Sequence, residues 1–178
     1  MMVGIHAEMK PRKVWIVAVL LAVALTSCIG PGPSSVRFGY RLDGRGNVVI
    51  AYPLCPAGEV SGAEITVRVQ RGEVSSFKRL WKARGAVSDE VKRGVFTVGT
   101  PDSFRQESKP LAGELPKGFF VEVEELSRGG GSNDGRDDWI DLSVQPSRPL
   151  KAGEYLTSDG EIVSWQWVNN QLGCGKKT

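Results

Sequence analysis

The sequence predicts an all-β domain, an antiparallel β-sandwich of about nine strands, and two observations carry that prediction. Apolar residues alternate with polar ones in run after run, most strictly where Ala63, Ile65, Val67 and Val69 interleave with Glu64, Thr66, Arg68 and Gln70. Period-2 alternation marks strands with one dry and one wet face, the habit of antiparallel sheets. Turn signals rich in Gly, Asp and Pro also separate these runs at short spacing. Helical periodicity is hard to find, with Ser88–Arg93 the one stretch that suggests a turn or two.

The elements follow in order. Val36, Phe38, Tyr40 and Leu42 alternate with Arg37, Gly39, Arg41 and Asp43, and the turn Asp43-Gly44-Arg45-Gly46-Asn47 leads into Val48–Leu54, which reads as a hairpin. Ala63–Val69 is the third strand. Phe77–Arg84, Val95–Gly99, Phe119–Leu126 and Trp139–Val144 supply four more. Tyr155-Leu156 and Ile162-Val163 flank Ser158-Asp159-Gly160-Glu161, where Asp-Gly suits a type I′ turn. Val163, Trp165 and Trp167 then share one strand face. Pro101–Pro116 and Gly129–Asp138 read as the two long loops. The outline is that of an immunoglobulin-like sandwich, with a small β-barrel as the alternative. The Cys and Trp spacing of true immunoglobulin domains is not met, because Cys174 lies after the last strand.

Ahead of the domain, Lys10, Arg12 and Lys13 precede an uncharged run from Val14 to Leu25, followed by Thr26, Ser27 and Cys28. A basic region, an apolar run of about 7–15 residues and small residues at a cleavage point describe a secretion signal. The run is too short for a permanent helix across a ~30 Å hydrocarbon core. The junction Leu25-Thr26-Ser27-Cys28 resembles a bacterial lipobox. That resemblance covers residues 1–28. It implies a lipoprotein precursor whose Cys28 thiol receives diacylglycerol, whose signal is cut just before it, and whose new N-terminus is held by fatty acids such as palmitate. The expected address is the extracytoplasmic face of the cell membrane. Met9 is a second plausible start, since Met9-Lys10-Pro11-Arg12-Lys13 makes a compact basic region. The expected organisation is a signal peptide over 1–27, a lipidated Cys28 with a short Gly/Pro/Ser tether over 28–35, and a single β domain over 36–178.

Composition then removes several functions. The signal segment carries three of the 23 cations and one of the 20 acids, so the mature chain holds 20 against 19. A balance that even leaves no footprint for a nucleic-acid partner. The single histidine, His6, falls in the signal. The mature chain therefore has no imidazole for a nucleophile–His relay or a His-ligated metal. No cofactor is expected. The two cysteines left beside Cys28 are Cys55 and Cys174, and an even pair in an exported chain reads as a disulfide. A loop of that length is worth about 4–5 kcal/mol in the chain-entropy account.

Three groups of residues invite a functional reading. The Gly129–Asp138 segment is rich in oxygen-bearing side chains but does not match the calcium loop of an EF-hand, so it reads as a solvated loop and not as a metal site. Glu122 and Glu124 share a strand face, with Glu125 following, and Lys78 and Lys82 are candidates to oppose them. Trp139 must point outward if Ile140, Leu142 and Val144 point in. A mobile loop beside an exposed Trp on a rigid sheet is where binding residues collect. The candidate contact surface is therefore Asn133, Asp134, Asp137, Asp138, Trp139 and Asp141. With its lipobox, short tether and small two-cysteine β domain, the chain resembles in general manner the lipoproteins of actinobacteria. The expected role is a non-enzymatic interaction module for an envelope protein or a cell-wall glycan. The alternatives are a hydrolase using Glu122, Glu124 or Asp137, and a structural accessory subunit of an envelope complex.

Overall fold

The computed structural model describes residues 36–126 and 132–174, with backbone alone over 132–134. The signal peptide, Cys28, the tether and Gly129–Gly131 lie outside the described residues. In chain order the strands are β1 (Gly39–Leu42), β2 (Val48–Ala51), β3 (Glu59–Arg71), β4 (Val74–Ala86), β5 (Val95–Thr97), β6 (Phe104–Lys109), β7 (Gly118–Leu126), β8 (Ser132–Asp141), β9 (Glu154–Leu156) and β10 (Ile162–Ser164). Helix α1 (Asp89–Lys92) lies between β4 and β5, and α2 (Trp165–Asn170) follows β10.

The strands form two antiparallel sheets that remain open and pack face to face as a sandwich. The short-stranded sheet has the order β10-β9-β1-β2-β5, and the long-stranded sheet β6-β4-β3-β7-β8. Alternation explains the core between them. Ala63 and Ile65 of β3, Trp81 and Ala83 of β4, Phe119, Val121 and Val123 of β7 and Ile140 of β8 are all buried on one face. Facing them, the short sheet and its flanks contribute Phe38, Tyr40, Ile50, Tyr52, Phe96 and Leu156. The rings meet edge to face, with Phe38–Tyr52 centroids 5.0 Å apart, Phe96–Phe104 5.5 Å and Trp81–Phe104 5.7 Å. Trp81 is fully buried, and its indole N–H donates to Glu107 Oε1 at 2.7 Å, so its one polar atom is satisfied. The opposite face of the short sheet buries Val49, Ala51, Val95, Tyr155 and Val163 with Val168 of α2.

Cys55 follows β2 and Cys174 follows α2. Their Cα atoms lie 5.6 Å apart, within the range a disulfide requires. Such a bond would tie the end of α2 to the short sheet.

Four expectations are corrected. Pro101–Pro116 is not all loop, because Phe104–Lys109 forms β6 on the edge of the long sheet. Only Phe104 of that strand is fully buried, so a single apolar anchor leaves no alternation to read. Trp165 and Trp167 lie in α2, where Ser164 caps the helix by accepting the Trp167 N–H at 3.2 Å. Two rings two residues apart fit a strand face or a short helix equally well. The last hairpin is not type I′, since no described non-glycine residue has positive φ. Instead the Gly160 N–H donates to the Thr157 carbonyl at 2.9 Å and Gly160 alone takes the left-handed conformation, at φ +83°. Most consequentially, the stretch expected to loop through Asp138 is strand from Ser132 onward, paired with β7 along its length.

Candidate interaction site on the long sheet

The outer face of the long sheet carries the candidate site, and register decides which side chains share it. Residues opposite one another across a strand pair lie on the same face. Glu64 pairs with Lys82 and Glu122, Thr66 with Arg79 and Phe120, Arg68 with Phe77, and Phe120 and Glu122 in turn with Trp139 and Asp137. Two side-chain neighbourhoods result, side by side on one surface.

The first is an ionic ladder. Glu64, only 7% exposed, accepts from Arg79 Nε at 2.5 Å and from Lys82 Nζ at 2.9 Å. Lys82 also reaches Glu124 at 3.0 Å, and Arg84 completes the row at 2.8 Å. Burial pushes both carboxyls upward, but the hydrogen bonds from these cations outweigh it and hold Glu64 and Glu124 below the ordinary carboxylate range. Lys82 therefore opposes Glu124 as expected. Lys78 does not, because it pairs with Val67 and so falls on the other face, a β-bulge between Ile65 and Thr66 having reset the register.

The second neighbourhood is an aromatic row. Phe77, Phe120 and Trp139 come from three strands and touch edge to face, with centroids 5.4 Å and then 4.8 Å apart. Arg68 lies over Phe77 at 5.6 Å. Phe77 is 58% exposed and Trp139 39%, so the row faces solvent. A Cβ at Gly118 would collide with the Trp139 ring. The indole lies against a backbone that only glycine leaves bare. Beside the row runs an open groove of about 640 Å³, reached by Thr66, Arg68, Arg79, Glu122 and Asp137. Glu122 and Asp137 stand directly opposite each other, two like charges with no ion pair among the described residues. Such a cross-strand pairing is unfavourable by itself.

Gly135 fixes this arrangement. Glu122 pairs with Asp137 while Glu124 pairs with Asp134, so Gly135 and Arg136 together oppose Val123 alone. A Cβ at Gly135 would collide with the Val123 carbonyl oxygen. The bulge turns Arg136 toward the core. Its backbone N–H donates to the Tyr52 hydroxyl at 3.2 Å and its guanidinium to Glu125 at 2.6 Å, while the Tyr52 O–H donates to Glu125. Burial, then this hydrogen bond to Glu125, raises the Tyr52 phenol well above its usual range. The three neighbouring glutamates thus have three fates: Glu122 open, Glu124 paired, Glu125 turned inward.

The sequence candidates divide accordingly. Asp137 and Trp139 lie on the outer face, and Phe77 and Phe120 join them. Asp138 turns the other way and accepts the Phe38 N–H at 2.7 Å and the Trp139 N–H at 2.8 Å. Burial raises its carboxyl, so it is a structural tie to the chain entering β1, not a surface contact. Asp141 accepts Ser143 N–H at 2.9 Å and its hydroxyl at 2.6 Å, closing the turn after β8. Asn133 and Asp134 are placed by backbone register only, and their side chains lie outside the described residues. Among the described residues no group of three or more His, Cys, Asp and Glu could hold a metal, and no helix is long and apolar enough to cross a membrane. Phe120 carries a sequence signal of its own, since it shares the parity of Glu122 and Glu124 on a wet face where a large ring is out of place. Phe77 carries none, because by count it shares the parity of Trp81 and Ala83 and only the bulge between Ile65 and Thr66 turns it outward. Comparison of the chain with protein-family models, with curated proteins and with solved structures finds no match.

Proposed function

We propose that this protein is a non-enzymatic interaction module, anchored by lipid at Cys28 on the extracytoplasmic side of the membrane, whose contact surface is the outer face of the long sheet. The observation that carries the reading is the exposed row Phe77–Phe120–Trp139 beside an open groove. Exposed rings on a rigid sheet supply contact area at small ordering cost. A hydrolase built on Glu122 and Glu124 has less support, since Glu124 is committed to Lys82 and Arg84 as an ionised group and is poorly placed to deliver a proton.

The test is capture of an envelope partner by the anchored protein and its Trp139→Ala variant. Capture should fall sharply in the variant while the melting temperature moves little, because Trp139 packs only on the outer face. A large loss of stability with capture unchanged would remove the surface from consideration. Anchoring is checked separately: the chain expressed in bacteria should incorporate labelled fatty acid, and Cys28→Ala should abolish it. Label retained in that variant refutes the anchor.

A further inference from the structure

We infer that the groove lined by Phe77 and Phe120 on the outer face of the long sheet binds an uncharged oligosaccharide chain. This rests on the outer face of the long sheet being the contact surface, and it goes further by naming the ligand chemistry. Three features of the groove converge on it.

Its charge is the first. Arg68 and Arg79 supply two cations, and Glu64, Glu122 and Asp137 supply three carboxylates, with Glu64 already neutralised by Arg79 and Lys82. An anionic ligand such as a nucleic acid, an acidic peptide or a phospholipid headgroup would meet the Glu122–Asp137 pair. A cationic peptide would meet Arg68. What suits opposed donors and acceptors within one groove is a ligand whose groups both donate and accept, and that is the chemistry of a hydroxyl. Glu122 and Asp137, whose carboxylates form no ion pair and accept no hydrogen bond among the described residues, are left as acceptors. Hydroxyl donors at these oxygens would also offset the repulsion that the pairing imposes on the free protein.

The apolar component is the second. Sugar rings expose a C–H face as well as a hydroxyl rim, and a ring with that character packs on an aromatic surface while its edge is hydrogen-bonded. The row of three rings is next to the polar groups, not separated from them. Gly118 withholds the side chain that would lift the Trp139 indole away from the backbone.

Size is the third. The groove is lined by nine residues and opens to solvent, with a volume of about 640 Å³. A standard protein–protein interface takes about 20–30 residues a side. A groove of this size accommodates a few linked sugar rings and leaves a globular partner most of its contact unmade.

The experiment immobilises neutral oligosaccharides (glucan, chitin, mannan and arabinan fragments) beside sulfated and uronic-acid ones and measures binding of the full-length protein purified from membranes. At least one neutral fragment should bind. Affinity should be nearly constant between about 0.05 and 0.5 M salt, since no ion pair is screened. Trp139→Ala should weaken it by about tenfold, because the indole packs on Phe120, one of the two rings that line the groove. Glu122→Gln combined with Asp137→Asn should weaken it as well, by removing two strong acceptors. Should Trp139→Ala misfold by circular dichroism, Gly118→Ala, which displaces the same ring, takes its place. Absence of binding to every neutral fragment overturns the inference, as does tighter, salt-sensitive binding of the charged ones. If capture of an envelope protein still depends on Trp139 in that event, the contact surface stands and the glycan alone is rejected.

Discussion

Two neighbourhoods of one sheet face obey the same alternation and end in opposite conditions. In the ionic ladder each carboxylate has its cation: Glu64 has Arg79 and Lys82, and Glu124 has Lys82 and Arg84. Farther along the same strands, the aromatic row leaves two rings in water and sets Glu122 against Asp137, neither held in an ion pair among the described residues. The first neighbourhood is complete within the protein. The second carries exposed apolar area and like-charge repulsion that a free, self-sufficient sheet has no reason to keep. Local departures of this kind concentrate where proteins meet ligands, and stability is then supplied from elsewhere in the fold. In this chain it is supplied from the dry face of the same strands, by Ile65, Trp81, Val121 and Ile140.

The contrast can be broken most severely at Gly135. Gly135→Val should destabilise the domain by about 3 kcal/mol or more, or prevent folding, because strand β8 would have to move off the Val123 carbonyl and lose the bulge. Urea unfolding measures it. A well-folded variant would show that the bulge is adaptable and that the placing of Asp137 and Trp139 does not depend on it.

The ladder should respond next. Glu64→Ala leaves Lys82 and Arg79 without their shared partner and should cost about 1–3 kcal/mol at neutral pH. The sign of the pH effect follows from the lowered carboxyl. Glu64 stabilises the fold above its unfolded value of 4.5, and the contribution fades as pH falls below 4.5 and through the folded value. Unfolding free energies of the natural protein and the variant should therefore converge in acid. A gap that stays constant from neutral pH down to acid would mean that packing, not charge, accounts for the loss.

The smallest effect has the opposite sign. Asp137→Asn removes one of the facing like charges and should leave stability unchanged or raise it by a few tenths of a kcal/mol, less so at high salt. Chemical denaturation at two ionic strengths resolves this. A clear loss of stability would give Asp137 a partner and weaken the distinction between the two neighbourhoods.

The sequence was informative wherever the controlling physics is local. Strict alternation over Ala63–Val69 fixed a strand and its wet face, and the glycine-bearing turns fixed the first and last hairpins. The parity of Ile140 also put Trp139 outward, as the sheet has it. Cys55 and Cys174 could be paired by elimination, and their Cα atoms are within bonding distance. Tertiary structure decided what depends on register between strands far apart in the chain. Phe77 and Phe120 lie 43 positions apart and meet only because β3 runs between their strands and presents the small Thr66 side chain beside Phe120 there. Plain alternation along β7 turns Glu125 inward, whereas the partners its neighbours meet depend on bulges at Ile65/Thr66 and at Gly135-Arg136, each shifting a register by one residue and so turning a face. Alternation records that a strand has two faces. It holds no record of what the neighbouring strand places opposite each residue, and in this protein that placement separates a closed ladder from an open groove.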